Sequence, residues 1–257
     1  MNLQLENKTA LVTGATKGIG LAIARHLAAE GASVIINGRT AATATAAAAK
    51  IGARAVVADV ATAAGCAALL QAVPQVDILV NNAGIFEPKP FTEIPDADWE
   101  RFYQVNVMSG VRLTRAYFPG MQAKNWGRVI FISSESGVQI PEEMIHYGMT
   151  KAAQLALVNG IARLTKGTGI TVNAVLPGPT ASEGVTDFVG QLAGSTGQSA
   201  AEFEQEFFRS VRPTSLLQRF ATVDEVATMV AYLCSPLASA TNGAAIRVDA
   251  GVVRSTV

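Results

Sequence analysis

Short apolar runs alternate along the chain with longer stretches in which apolar residues recur at helical spacing. The runs predict seven strands, at 9–14, 33–38, 53–59, 77–84, 127–134, 170–178 and 244–249. Most of these runs are apolar throughout rather than at alternate positions, as expected for parallel strands that are covered on both faces. The stretches between them predict helices over 18–30, 40–50, 62–72, 97–123, 147–167 and 222–234.

The repeated β-α-β order predicts the fold class and the domain organisation. It indicates an α/β protein with a Rossmann-type doubly wound parallel sheet of about seven strands, flanked by helices. No linker divides residues 1–257, so we expect a single domain. One segment, 179–221, lies outside the β-α rhythm and contains two amphipathic pieces, 185–193 and 200–210. Because it follows a strand end, it is a candidate lid over a site, or alternatively a surface excursion or subunit contact.

Composition and charge exclude several classes of partner. The 257 residues carry 20 basic and 20 acidic side chains, which gives no electrostatic reason to expect binding to nucleic acid or to an anionic membrane. Cys66 and Cys234 are far apart in apolar runs, so buried reduced thiols are expected. No signal peptide and no membrane-spanning run is visible, and we expect a soluble cytoplasmic protein.

The first predicted strand leads directly into a glycine-rich loop. Gly14, Gly18 and Gly20 follow it at the spacing G-x-x-x-G-x-G, and the first predicted helix begins within the loop. Glycines there permit a tight turn and a close approach of backbone to a pyrophosphate, toward which the helix directs its N-terminal amides. A simple packing turn is the alternative, but the position between strand and helix favours a dinucleotide site.

The end of the second strand predicts which dinucleotide binds. A carboxylate that would hold the ribose 2′-hydroxyl of NAD is missing there, and the sequence reads Asn37, Gly38, Arg39, Thr40. Arg39 can pair with a 2′-phosphate, and Lys17 in the glycine loop adds a second positive charge. The pattern favours NADP(H), with NAD(H) as the alternative.

Further motifs along the chain resemble the short-chain dehydrogenase/reductase family, in its short single-domain branch. They are Thr13–Gly20, Asp59, Asn81–Gly84, Asn106, Ser134, Tyr147, Lys151 and Pro177–Gly178, in order over essentially the whole chain. The resemblance implies a seven-stranded sheet, a nicotinamide cofactor and a homotetramer or homodimer. The predicted cofactor contacts are Gly14, Thr16, Lys17, Gly18, Ile19, Gly20, Asn37, Arg39, Thr40, Asp59, Val60, Asn82, Ala83, Gly84, Tyr147, Lys151, Pro177, Gly178, Thr180 and Ser182.

The family resemblance also implies four catalytic roles. Tyr147 and Lys151 lie one helical turn apart, and a nearby ammonium and a positive nicotinamide ring would lower the pKa of the phenol. By position, Tyr147 is the acid/base, Lys151 binds the nicotinamide ribose, and Ser134 orients the substrate carbonyl. Asn106 would hold a water that relays protons to the lysine. Ser133 competes with Ser134, which we prefer because it lies 13 residues before the tyrosine.

Substrate contacts are predicted from the polar loop before Tyr147. Glu135 follows Ser134 directly and could recognise a hydroxyl or amino group, although a solvated or helix-capping carboxylate is the alternative. His146 precedes Tyr147 and is the second candidate. No metal site is expected, because the two histidines, His26 and His146, are 120 residues apart.

The interpretation that joins these features is an NADP(H)-dependent dehydrogenase or carbonyl reductase acting on CH–OH groups of a small molecule, through reversible reduction of a ketone or aldehyde. Three alternatives remain open. The first is a 3-oxoacyl-(acyl-carrier-protein) reductase, which Thr168 disfavours because related enzymes tend to have a basic residue at that position. The others are a non-catalytic nucleotide-binding protein of the same fold, and an isomerase, epimerase or dehydratase that uses the cofactor transiently.

Overall fold

A central parallel sheet organises the molecule, which a computed structural model describes over residues 2–183 and 199–256. Its strands are β1 (Thr9–Val12), β2 (Ser33–Gly38), β3 (Arg54–Val57), β4 (Ile78–Asn81), β5 (Gly127–Ile132), β6 (Ile170–Pro177) and β9 (Ala245–Val248), while β7 (Thr180–Ala181) and β8 (Ala221–Thr222) pair with each other outside it. The spatial order is β3-β2-β1-β4-β5-β6-β9, and all neighbours run parallel. The predicted seven-stranded, doubly wound α/β fold is therefore confirmed.

Helices connect the strands and cover the sheet. They are α1 (Gly18–Ala29), α2 (Ala41–Ile51), α3 (Ala63–Ala72), α4 (Asp96–Tyr103), α5 (Ser109–Lys124), α6 (Ile145–Arg163), α7 (Ala200–Glu206) and α8 (Val223–Cys234). Two of them, α7 and α8, begin with capping boxes in which a hydroxyl and a glutamate satisfy the first free amides.

Two apolar clusters, one on each face of the sheet, hold these layers together. Val12 of β1 packs on one face with residues of α1, α2 and α8. The preceding residue, Leu11, packs on the other face with residues of α3, α5 and α6. Because successive strand residues point to opposite faces, a strand buried on both sides must be apolar throughout. This explains the unbroken apolar runs of the sequence.

The predicted helix over 97–123 is interrupted in the structure. It consists of α4, a π-helical turn at Gln104–Met108, and α5. Asn106 lies inside this turn and is almost completely buried. An inserted π turn rotates the side chains that follow it, and such turns occur frequently at functional sites. Apolar periodicity cannot reveal a single inserted residue, which is why the sequence predicts one continuous helix.

The two ends of the segment predicted as a lid, 179–221, lie next to each other. Its ends form β7 and β8, where Thr180 pairs with Ala221 and Ala181 with Thr222. The predicted piece 200–210 corresponds to α7 and a second π-helical turn, Phe207–Val211, whereas the predicted piece 185–193 lies outside the described residues.

The cysteine prediction is confirmed, because Cys66 and Cys234 are both buried free thiols. Over residues 2–183 and 199–256, no helix combines the length and the apolar character that crossing a membrane requires.

Candidate active site

A cleft of about 730 Å³ opens at the carboxyl ends of the central strands, where ligands bind in open α/β sheets. Most of the predicted site residues line it: Gly14, Thr16, Lys17, Gly18, Ile19, Gly20, Asn37, Arg39, Asp59, Val60, Asn82, Ala83, Gly84, Ser134, Glu135, Tyr147, Lys151, Pro177, Gly178, Thr180 and Ser182. Residues outside the predicted set also line it, among them Ile85, Phe86, Ser133, Glu143, Met144, Phe203, Phe207, Arg212 and Phe220. Three predicted residues, Thr40, Asn106 and His146, do not.

The glycine loop is packed too closely for side chains. A Cβ atom on Gly14 would lie 2.9 Å from the Ala83 Cα, and Gly14 also has a φ of +60°. On Gly20 the added atom would lie 2.4 Å from the Asn82 Nδ2. The Thr13 Oγ1 accepts hydrogen bonds from the amides of Asn82 and Ala83, each at 3.0 Å, which joins the ends of β1 and β4. The loop thus exposes backbone where larger residues would fill the cleft.

The N-terminus of α1 holds a negatively charged oxygen. The amide of Gly18, the first residue of this helix, donates to the Glu183 Oε2 at 2.6 Å. The helix dipole and the free amides of the first turn favour an anion at this end. The Glu183 carboxylate therefore occupies the type of site in which a dinucleotide phosphate binds.

Two cations mark one end of the cleft. Lys17 and Arg39 are both exposed, and neither side chain forms a hydrogen bond or ion pair with another described residue. Asn37 is buried at the end of β2, where its Nδ2 donates to the carbonyl oxygens of Val56 and Ala58, so it braces β2 against β3. The end of β2 therefore presents Asn37 to the cleft where an NAD-binding protein would present a carboxylate. The exposed Thr40 contacts Thr43 instead of the cleft, and the structure does not support a cofactor contact for its side chain.

Tyr147, Lys151 and Ser134 come together at the centre of the cleft. The Lys151 Nζ lies 5.4 Å from the centroid of the Tyr147 ring and donates to the carbonyl oxygen of Ile132 at 2.9 Å. The Ser134 Oγ donates to the Glu135 Oε2. The competing serine, Ser133, is engaged elsewhere, because its Oγ donates to the main-chain oxygen of Lys151 at 2.9 Å.

Burial controls the protonation of both ionisable groups in this centre. It raises the pKa of Tyr147, and the negative charge of Glu135 raises it further. A hydrogen bond with Ser134 and the charge of Arg212 act in the opposite direction. The expected lowering by Lys151 is not found, because the groups that shift the pKa of Tyr147 do not include this lysine. Burial lowers the pKa of Lys151 itself to about 8. The lysine is therefore close to its titration point at neutral pH.

Asn106 is fully engaged by protein groups. Its Oδ1 accepts from the amide of Ile85 at 2.8 Å, while its Nδ2 donates to the Ile85 carbonyl oxygen and to the Thr150 Oγ1, both at 3.0 Å. Its own main-chain oxygen accepts from the Gln154 Nε2 at 2.6 Å. These contacts clamp the loop after β4 onto α6. They support a positioning role and leave the expected water relay to the lysine without support.

Sequence reasoning singled out Glu135 but missed the ion-pair cluster next to Ser134 to which it belongs. Glu135 is 5% exposed, and its Oε1 accepts from the Arg212 Nε at 3.3 Å. The Arg212 Nη1 donates to the Glu143 Oε1 at 3.0 Å. Arg212 follows the second π turn, and only the path of residues 199–211 brings it to the cleft. In the sequence, Arg212 is one of three arginines in the atypical 179–221 segment, with Arg209 and Arg219.

His146 does not reach the cleft, which corrects its prediction as a substrate contact. It is completely buried, its ring centroid lies 4.1 Å from that of Phe102 and 5.9 Å from that of Trp99, and neither ring nitrogen has a hydrogen-bond partner among the described residues. Adjacent helix residues point about 100° apart, so the exposure of Tyr147 to the cleft directs His146 elsewhere.

Comparisons with known proteins decide the family. A family model described as short chain dehydrogenase matches residues 8–191. The oxidoreductase YvaG of Bacillus subtilis (strain 168) is 48% identical over 262 residues, which cover 99% of each chain. This chain belongs to the short-chain dehydrogenase family.

Solved structures agree with this assignment. The crystal structure of L-sorbose reductase from Gluconobacter frateurii, complexed with NADPH and L-sorbose, matches with a TM-score of 0.92 at 31% identity, covering 99% of this chain and 100% of that one. A 7α-hydroxysteroid dehydrogenase complexed with NADH and 7-oxo glycochenodeoxycholic acid matches with a TM-score of 0.85 at 31% identity, covering 99% and 97%. Short-chain dehydrogenases thus bind nicotinamide dinucleotides. The glycine loop and the anion-binding amide of Gly18 fit such a cofactor here.

The burial of His146 predicts an acid sensitivity of this short-chain dehydrogenase. Burial lowers the pKa of His146 below its unfolded value of about 6.5, so the folded state binds fewer protons. Above that pH the titration of His146 leaves the free energy of unfolding unchanged. Below it the free energy of unfolding falls, because the unfolded state binds more protons than the folded state. The charged groups near it are Asp98 and Glu87, which raise its pKa, and Lys89 and Arg101, which lower it.

We therefore expect His146→Phe to flatten the decline of unfolding free energy between pH 7 and pH 5, measured by urea denaturation. His26 is present in both proteins, so its titration cancels from the comparison. Parallel stability curves for the two proteins would contradict the assignment.

The contact between Glu183 and Gly18 predicts an effect on cofactor binding. A dinucleotide phosphate must displace the carboxylate, and two anions at one helix end repel each other. Glu183→Gln should therefore lower the Kd for NADPH about three- to tenfold, measured by fluorescence titration. Glu100→Gln, at an exposed position of α4, is the control for the loss of one charge. A Kd that is unchanged or higher in Glu183→Gln would show that the carboxylate does not compete.

Proposed function

We propose that this short-chain dehydrogenase reversibly reduces a ketone or aldehyde to an alcohol with NADP(H), using Tyr147 as the acid/base. The observation that carries the proposal is the convergence of Tyr147, Ser134 and Lys151 on the same cleft as the glycine loop. Hydride transfer to a carbonyl requires a cofactor site and, beside it, hydroxyl groups that donate hydrogen bonds to the carbonyl oxygen as it gains negative charge. We infer that residues 1–257 form one domain that both binds the cofactor and catalyses the reaction.

The proposed mechanism assigns a task to each side chain. A bound nicotinamide supplies the hydride and, when oxidised, a positive charge beside Tyr147. Tyr147 has a raised pKa, so it is protonated at neutral pH and can donate its proton to the oxygen that becomes the alcohol hydroxyl. Ser134 turns its hydroxyl from Glu135 to that same oxygen and stabilises its developing charge. Lys151, with a pKa of about 8, can exchange a proton at neutral pH.

The preference for NADP(H) over NAD(H) is supported by charge. Lys17 and Arg39 line the cleft with no ion-pair partner among the described residues, and the end of β2 offers Asn37 instead of a carboxylate. A 2′-phosphate adds about two negative charges, which these cations would neutralise. The structural relative with L-sorbose contains NADPH and the steroid relative contains NADH, so the family alone leaves the choice between cofactors open.

Replacing Tyr147 by phenylalanine tests the proposed chemistry. We expect Tyr147→Phe to lower kcat/KM for ketone reduction by about 10²- to 10⁴-fold, since the acid is removed while the ring stays in place. The Kd for NADPH should remain within about twofold of wild type. Tyr103→Phe, at an exposed position of α4, is the matched control and should retain full activity.

Two results would contradict the assignment of Tyr147. Activity of Tyr147→Phe within about threefold of wild type would remove it from the acid role. Equal losses in kcat/KM and in NADPH affinity would show that the substitution damages the cofactor site rather than the proton transfer.

A further inference from the structure

The wall of the cleft next to Ser134 contains a charged pair that the proposed chemistry does not use. Glu135 is 5% exposed and the Arg212 side chain 11% exposed, although each carries a charge. Burial of charged groups is unfavourable unless they are paired and hydrogen-bonded. Both residues line the cleft, so the pair lies where the substrate of the proposed reaction must bind.

The two carboxylate oxygens of Glu135 are used unequally. The Oε2 accepts from the Ser134 Oγ, from the Ser136 amide and, at 2.7 Å, from the Ser136 Oγ. The Oε1 accepts one long bond of 3.3 Å, from the Arg212 Nε. A carboxylate oxygen has two acceptor positions. The Oε1 therefore retains capacity for a further donor in the cleft.

Arg212 offers the complementary group. Its Nη1 donates to the Glu143 Oε1 at 3.0 Å and to the Val211 carbonyl oxygen at 2.9 Å. Its Nη2 donates to no other described residue. An available acceptor and an available donor therefore lie side by side. A hydroxyl group, which donates one hydrogen bond and accepts others, satisfies both.

The net charge of the cluster selects against acids. Two carboxylates, Glu135 and Glu143, surround a single guanidinium, so the group carries an excess negative charge. A substrate carboxylate placed there would meet two like charges and an arginine that is already paired. A neutral hydroxyl meets no such repulsion.

Proximity to Ser134 places the substrate hydroxyl near the reacting carbonyl. The proposed role of Ser134 puts its Oγ within a hydrogen bond of the reacting oxygen, and the same Oγ contacts Glu135. The reacting oxygen that Ser134 contacts therefore lies close to the Glu135 carboxylate, and a substrate hydroxyl bound by Glu135 belongs to a carbon near the carbonyl carbon.

We propose that Glu135 and Arg212 form a subsite for a substrate hydroxyl, which makes neutral hydroxyketones and the corresponding polyols the substrate class and disfavours keto acids. This inference rests on the proposed function, because it assumes that Ser134 contacts the reacting oxygen. Three aromatic side chains, Phe203, Phe207 and Phe220, line the same cleft, and an apolar wall increases the cost of leaving the polar pair unsatisfied. A site built for a hydroxyl rejects analogues without one strongly.

Three four-carbon ketones test the subsite on the wild-type protein with NADPH. Erythrulose is neutral and hydroxylated, 2-butanone is neutral without hydroxyls, and acetoacetate carries a carboxylate. We expect kcat/KM for erythrulose to exceed that for each of the others at least tenfold. Because only the wild-type protein is assayed, the result does not depend on whether a variant folds. Equal or better turnover of 2-butanone or acetoacetate would overturn the subsite while leaving the proposed reduction intact, whereas no turnover of any ketone with NADPH or NADH would overturn both.

The substitution Glu135→Gln separates recognition from mere support of the loop. It keeps the size of the side chain and removes one negative charge, so the cluster no longer carries the excess charge that repels a substrate carboxylate. We expect kcat/KM for erythrulose to fall at least tenfold and that for acetoacetate to rise, with the exposed Glu100→Gln as the control that changes neither. A uniform loss for all three ketones would indicate a structural role and contradict the subsite, as would an unchanged ranking.

Discussion

The parallel alignment of the central strands is the constraint on which the whole site depends. Because β1, β4, β5 and β6 run in the same direction, their carboxyl ends meet at one edge of the sheet. The glycine loop follows β1, Ser134 and Glu135 follow β5, and Pro177 and Gly178 end β6. Side chains separated by more than a hundred residues thus line one cleft. Apolar packing on both faces of the sheet holds this edge rigid, and the hydroxyl of Thr13 locks β1 to β4 directly beneath it.

The cleft combines groups that burial would make unstable without specific partners. Lys151 is held by the Ile132 carbonyl oxygen, and Asn106 by both polar groups of Ile85. Glu135 requires the Ser136 amide and Arg212 to offset its desolvation. A polar network of this kind contributes little net stability but permits few alternative arrangements. The two π-helical turns, at Asn106 and just before Arg212, position two members of the network: Asn106 holds Ile85 in the cleft wall, and Arg212 lines the cleft itself.

Signals that are local in sequence predicted the fold and the glycine loop, which lies between the first strand and the first helix. The choice of Ser134, Tyr147 and Lys151 came from the family resemblance, and spacing indicated only that Tyr147 and Lys151 share one helix face. Arg212 could not be placed in this way, because its contact with Glu135 depends on the path of the chain across a long connection. His146 was misassigned because nearness in sequence to Tyr147 does not determine which side of a helix faces the cleft.

The most direct test of this account measures which cofactor the cleft binds. NADPH and NADH are titrated separately into the wild-type protein and into Arg39→Asp, and the nicotinamide fluorescence gives each Kd. We expect wild type to bind NADPH at least tenfold more tightly than NADH. Arg39→Asp should reverse this order, because its carboxylate repels the 2′-phosphate and can accept from a 2′-hydroxyl. Equal or tighter binding of NADH by wild type would contradict the assignment of Lys17 and Arg39, and binding of neither would contradict the proposed function as a whole.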